Sequence, residues 1–119
     1  MNLGYQKSKT SILIPMRSLN EGKTRLSNLL SPNKREKLIK LLFTQLLKKL
    51  KTLKNQFPLI FSDILVITPC EEVEKISKDF HVHVLKEQNL NGLNSAVNKG
   101  ICWSSKNLYD SSLILPGDI

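Results

Sequence analysis

Cysteine is scarce in this chain of 119 residues: Cys70 and Cys102 are the two, and they lie far apart. They match no metal-ligand spacing and do not make a disulfide framework, so both read as reduced bystanders. Long apolar runs are missing too. No segment approaches the roughly 18 consecutive apolar residues that span a bilayer. Residues 1–10 are polar and lysine-bearing, without the apolar stretch of a signal peptide. The expectation is a cytoplasmic protein with no membrane partner. Glycine is sparse, and no Gly-x-x-x-x-Gly-Lys-Ser/Thr pattern occurs, which excludes a P-loop NTPase of the Walker A kind. Acidic residues are few, 10 against 18 Lys and Arg, for a net charge of +8.

That imbalance is local. Residues 34–54 hold eight Lys or Arg and one Glu, a net of +7, and the remainder is nearly neutral. This describes one basic helix, not a globally basic protein. Such a helix can meet nucleic acid or a membrane surface. No aromatic interleaves its lysines for base stacking, so the face reads as a solvated one and nucleic acid is not the expected partner. The length allows one domain, and 40% hydrophobic content is ordinary for a globular chain.

Ser11 to Met16 is a continuous apolar run, as expected of a parallel strand covered on both faces. A loop over 17–30 follows. Ser31-Pro32 is a helix start, with Ser as N-cap and Pro at the first helical position. That helix runs to about Lys54. Leu38, Leu42, Leu46, Leu50 and Leu53 recur at spacings of three and four, and Ile39, Leu41, Phe43 and Leu47 widen the stripe. Asp63 to Thr68 is the clearest strand. Glu71 to Lys78 is a short helix with acids in its first turn. His81 to Leu85 reads as a third strand, Asn91 to about Lys106 as a helix, and 112–115 as a fourth strand. The order β-α-β-α-β-α-β predicts a parallel doubly wound sheet with right-handed crossovers.

Three segments carry candidate chemistry. In the first, a strand ends at Pro15 and a basic loop follows, with Arg17, Lys23 and Arg25 opposed only by Glu21. Gly22 allows close backbone approach, and the cations suit polyphosphate oxygens, Arg in bidentate fashion. The alternative is a solvated surface loop. In the second, Asn91 or Gly92 makes a tight turn, and Leu93 and Asn94 enter a helix whose free N–H groups and Asn amide can read a base or ribose edge. The alternative is a plain helix start. In the third, Asp118 follows the strand Leu113–Leu115 and the bend Pro116-Gly117; acids at strand ends commonly hold a metal, against an ordinary turn. His81 and His83, two apart, would share one face of a strand, but no third ligand accompanies them, and lining a sheet edge is the better reading. Trp103 and Tyr109 read as packing residues.

Taken in order, these segments resemble a known family. Ile14-Pro15-Met16-Arg17-Ser18-Leu19 and Gly22-Lys23-Thr24-Arg25-Leu26-Ser27 are similar to the opening of the 2-phospho-L-lactate guanylyltransferases of coenzyme F420 biosynthesis. Those have an Ile-Pro-Val-Lys-like strand end and an Ala-Lys-Ser-Arg-Leu loop. The helix with Arg35, Val66-Ile67-Thr68-Pro69, Gly92-Leu93-Asn94 and Leu115-Pro116-Gly117-Asp118 follow in the same order. The resemblance covers residues 11–119, with 1–10 as an N-terminal tail. It implies a three-layer α/β/α Rossmann-like nucleotidyltransferase fold of glycosyltransferase-A type, mostly parallel and truncated. It also implies transfer of GMP from GTP to a small phosphorylated acid (2-phospho-L-lactate, phosphoenolpyruvate or 3-phosphoglycerate) with release of pyrophosphate. Lys23 and Arg25 would then be catalytic cations on the triphosphate, with Arg17 in place of the usual Lys. Gly92, Leu93 and Asn94 would contact guanosine, and Asp118 would ligate Mg2+. A homodimer is compatible with this reading.

One departure is that family members continue well past their Leu-Pro-x-Asp motif. The expectation is therefore a fragment, marginally stable and with trace activity at most. Two other readings stand beside the enzyme: an inactive truncated remnant, and a nucleic-acid-binding module built on the basic helix.

Overall fold

The computed structural model describes residues 9–17, 19, 29–58, 60–87 and 93–115. Four strands and three helices alternate: β1 (Thr10–Pro15), α1 (Pro32–Gln56), β2 (Phe61–Thr68), α2 (Glu71–Asp79), β3 (His83–Lys86), α3 (Leu93–Lys106) and β4 (Ser111–Ile114). All four strands join one sheet in the order β3-β2-β1-β4, and every pair is parallel. Leu13 is the hub, level with Leu65 on one side and Ile114 on the other.

The unbroken apolar run of β1 has the cause the sequence suggests. Ile12, Leu13 and Ile14 are all fully buried, because alternate side chains enter two different cores. Ile12 and Ile14 pack with Ile64, Val66, α1 and Val73 of α2; Leu13 packs with Leu65, Ile67 and Ala96 of α3. Helices α1 and α2 thus cover one face and α3 the other, giving three layers. Steps from β1 to β2 to β3 run one way across the sheet, and the step from β3 to β4 runs back past β2 and β1. With a constant hand of crossover, that reversal moves the connecting helix to the opposite face.

Helix α1 starts as its sequence specifies: the Ser31 Oγ accepts from the Lys34 N–H at 3.4 Å, and Pro32 occupies the first turn. Its deepest residues are Ile39, Phe43, Leu47 and Leu50. The buried stripe is therefore rotated from the Leu38/Leu42/Leu46 row, and Leu41 is 54% exposed rather than part of the stripe. On the opposite side of the sheet, α3 is tied down by hydroxyls. Ser11 Oγ lies 2.8 Å from Ser104 Oγ and 3.1 Å from Ser112 Oγ, and Ser112 donates to Ser104 at 2.9 Å. This triangle satisfies polar groups that the helix–sheet contact would otherwise bury alone.

The expected strand start at His81 is corrected: β3 begins at His83. His81 instead sits at φ 58° in the turn that ends α2. Its N–H donates to the Lys78 carbonyl at 3.0 Å, and that of Val82 to the Ser77 carbonyl at 3.2 Å. This is a Schellman turn, which needs a left-handed residue. Because His81 lies in the turn, it does not share a strand face with His83. The end of α3 repeats the motif, with Leu108 at φ 64°, its N–H on the Ser105 carbonyl at 3.2 Å and that of Tyr109 on the Ser104 carbonyl at 3.1 Å. Leu108 is 83% exposed, so its side chain gains almost nothing in return for a backbone strained for any Cβ-bearing residue. Leu108→Gly is expected to raise stability by about 1 kcal/mol, the strain relief exceeding the entropy that glycine adds to the unfolded chain. Urea unfolding checks this; an unchanged or lowered midpoint would contradict it.

Candidate functional site

In a doubly wound sheet, ligands bind outside the carboxyl ends of the strands where the strand order reverses. Here that point lies between β1 and β4. The Met16 N–H still donates to the Ile67 carbonyl at 2.9 Å, so β1 is held up to its last residue. The Leu115 N–H donates to the Leu13 carbonyl at 2.9 Å, which holds the end of β4 beside β1. Chain segments that the sequence analysis singled out for opposite charge, basic after β1 and acidic after β4, therefore leave neighbouring strands at one edge. Arg17 is the first of these residues, and it is exposed just past β1. Lys23, Arg25, Gly92 and Asp118 lie outside the described residues. The backbones of Leu93 and Asn94 open α3, while their side chains are not among those described. Because α3 follows β3, its N-terminus falls on the same sheet edge as Arg17. No group of three or more His, Cys, Asp or Glu suited to a metal occurs among the described residues.

Sequence reasoning missed one charged residue at this edge. Glu87 follows β3 directly, its N–H donating to the Thr68 carbonyl at 2.8 Å, and the residue is only 6% exposed. Lys99 of α3 brings its Nζ to 3.3 Å from Oε2. The charges attract at that distance, but the atoms are not aligned as a hydrogen bond. A buried carboxylate needs its counter-ion, so this pair links the end of β3 to the second turn of α3. No local pattern reveals it, because the partners are brought together by the crossover.

At the opposite, amino-terminal end of the strands lies a second polar cluster. Asp63, on the α3 side of β2 with Leu65 and Ile67, accepts a hydrogen bond from the Tyr109 hydroxyl. Lys54 Nζ and His83 Nε2 stand 3.4 Å and 3.6 Å from its Oδ1. Trp103 stacks on Tyr109 and tilts against His83, each at 5.5 Å between ring centroids. Burial pushes the Asp63 carboxyl up, but the Tyr109 hydroxyl and Lys54 outweigh it and hold it below the usual value of 3.8. Burial and the Asp63 carboxylate push the Tyr109 phenol well above its ordinary 10.0. A carboxyl depressed by folding stabilises the fold above its unfolded pKa, and that contribution disappears as pH falls through the folded one. Asp63→Asn is therefore expected to cost about 1 kcal/mol at pH 7, a difference that shrinks as acid protonates Asp63 on the way down to about pH 2. Denaturant midpoints of both proteins across that range decide it; a constant difference would remove the electrostatic account.

The amino-acid sequence that builds this sheet has relatives among known proteins. Residues 10–119 match the family described as "Guanylyl transferase CofC like". The chain is 36% identical over 116 residues to the 2-phospho-L-lactate guanylyltransferase of Methanosphaera stadtmanae, covering 94% of this chain and 47% of that protein. It is 34% identical over 113 residues to the 3-phospho-D-glycerate guanylyltransferase of Colwellia psychrerythraea, covering 93% and 50%. It is 30% identical over 107 residues to the 2-phospho-L-lactate guanylyltransferase of Methanobrevibacter smithii, covering 90% and 44%. The chain spans about half the length of the curated relatives it matches. With nearly its whole length matched and a parallel α/β/α sheet to carry it, the chain belongs to the guanylyl transferase CofC-like family.

Proposed function

We propose that this chain is the nucleotide-binding part of a cytoplasmic guanylyltransferase that transfers GMP from GTP to a small phosphorylated acid and releases pyrophosphate, in coenzyme F420 biosynthesis. The observation that carries this reading is the pairing of β1 with β4, which sends a basic and an acidic segment from adjacent strand ends at the switch point. The relatives' names support the nucleotide and the class of acceptor. Those names carry two acids, 2-phospho-L-lactate and 3-phospho-D-glycerate; with the phosphoenolpyruvate that the family resemblance adds, they are the three candidate acceptors.

In this mechanism the acceptor phosphate attacks the α-phosphorus of GTP, and the bond to the β-phosphate oxygen breaks. The work left to the protein is positioning and charge neutralisation. Lys23 and Arg25 hold the triphosphate and stabilise charge on the departing pyrophosphate. Arg17, at the end of β1, adds a cation with a planar fork. Gly92 lets the backbone approach the nucleoside, and Leu93 and Asn94 contact guanosine at the start of α3. Asp118 offers the hard oxygen donor that suits Mg2+, which usually takes one or two carboxylates and completes its shell from substrate phosphates and water. When bound, Mg2+ would neutralise phosphate charge.

The test is pyrophosphate release from GTP with each of the three acids, using ATP as a control. Turnover concentrated on GTP and one acid, however slow, is the expected result. Equal release from ATP, or no binding of GTP at all, would overturn the reading.

A further inference from the structure

Strand β3 ends the sheet: among the described residues it pairs with β2 alone. The Glu87 N–H points to β2, since it donates to the Thr68 carbonyl. By the two-residue period of a strand, Leu85 and His83 also turn their backbone groups to β2, while Val84 and Lys86 present theirs to the open side. Beside that open edge runs a groove of about 740 Å³ between β3 and α3. Leu85, Cys102 and Trp103 supply apolar wall and Lys99 and Lys106 of α3 supply charge; Lys86 also lines the groove, with its ammonium held by Glu74 of α2 on the other face of β3. Among the described residues, none that lines it is acidic. Trp103 is preset, braced by the stacked Tyr109 and the tilted His83.

We propose that this groove takes an extended acidic peptide from a protein partner, added as a strand along the free edge of β3. Main-chain bonds to Val84 and Lys86 would hold the peptide. The row of side chains on the α3 face would lie over Leu85 and Trp103 and bring its carboxylates to Lys99 and Lys106, and a carboxylate of the other row would meet Lys86. Lys86 and Lys99 already face Glu74 at 3.2 Å and Glu87 at 3.3 Å, but an ammonium has three donors and each has room for another acceptor. Charge also selects the occupant. A second copy of this chain would set the same three lysines against themselves, on a molecule of net charge +8. A short strand bearing lysine deters indiscriminate pairing; an acidic strand is the kind that this edge does not repel. This site lies on the flank of the sheet and is independent of the guanylyltransferase reading.

Trp103 is the one tryptophan, so its fluorescence reports occupancy directly. The probe is a short capped peptide of repeating Val-Val-Glu-Glu, which places both residue types on each face of a strand, titrated at physiological salt into the wild-type chain. Three comparisons accompany it: the valine–lysine peptide, the valine–glutamate peptide with N-methylated backbone amides, and the chain carrying Lys99→Glu or Lys106→Glu. The expected result is saturable binding of the acidic peptide alone. N-methylation and each charge reversal should weaken it about tenfold, and the Val84 and Lys86 amides should gain exchange protection. Lys106 is exposed, so its reversal leaves the fold intact and keeps the comparison valid if the Lys99 variant unfolds. Equal binding of the basic peptide, or indifference to Lys106→Glu, would overturn the proposal. Loss with charge reversal but not with N-methylation would overturn strand addition. A Trp103 change that follows protein concentration without peptide would assign the edge to self-association instead.

Discussion

Gly100→Val is expected to lower stability by about 3 kcal/mol. Gly100 is buried in mid-helix, where glycine costs about 1 kcal/mol relative to alanine. Something must offset that cost, and the packing of α3 on the sheet supplies it. A Cβ at Gly100 would stand 2.9 Å from Ile67 Cδ1 and 3.0 Å from Leu13 Cδ1. Both partners are side-chain ends, which ordinarily could swing away. Here Leu13 is 0% and Ile67 1% exposed, so they have no free volume to enter. Gly100→Ala sets the gain in helix propensity against this clash, and the two nearly cancel. Valine adds two methyls to an already crowded contact and is stiff at χ1, so the helix must lift. Lifting α3 also stretches the hydroxyl triangle of Ser11, Ser104 and Ser112, which sits one turn along the same helix. Urea unfolding of the three proteins gives the ordering. A valine variant within about 1 kcal/mol of wild type would mean that α3 does not rest on the sheet at this distance.

Gly100 also illustrates what was hidden in the sequence. Periodicity placed it correctly on a helix, but a helix pattern says nothing about how near its partner approaches. The β-α-β-α-β-α-β order, the parallel sheet and the Ser31-Pro32 helix start were all legible, because each rests on local signals: apolar runs, caps and proline. Three details were not. The stripe of α1 is rotated because its apolar positions are too many to fix one face, and the sheet chooses Ile39, Phe43, Leu47 and Leu50. His81 was read into a strand because Val82 and Val84 suggest one, whereas the hydrogen bonds closing α2 claim it for a left-handed turn. Asp63 looked like the polar start of a strand. Its partners Tyr109, Lys54 and His83 come from three other stretches of chain and meet only once the sheet forms. For the candidate site, the sequence located both strand ends, and the structure shows that those ends are neighbours. Lys23, Arg25, Gly92 and Asp118 remain sequence-based assignments.

The largest functional effects are expected at two of those positions. Lys23→Ala and Arg25→Ala should each lower kcat/KM for GTP about a hundredfold. Charge grows on the β-phosphate oxygen as pyrophosphate departs, so a cation there gains more in the transition state than in the bound substrate. Most of the loss should therefore fall on kcat, with a smaller rise in KM. The two residues differ in how they can be rescued. Arg25→Lys keeps the charge but loses the bidentate fork, and should recover only part of the rate; Arg17→Lys keeps the charge that the family resemblance implies at this place and should be nearly neutral. Unfolding midpoints measured alongside separate loss of fold from loss of chemistry. A contrasting set decides between this reading and a nucleic-acid module. Charge neutralisation of Lys48, Lys49 and Lys51 on α1 lies on another element, on the face of the sheet opposite α3. If those changes abolished function while Lys23→Ala did not, and affinity for RNA or DNA fell steeply with salt, the basic helix would be the working surface. If Lys23 and Arg25 dominate and the α1 lysines are silent, the chemistry belongs to the loop after β1, and the charge of α1 serves only to keep that helix solvated.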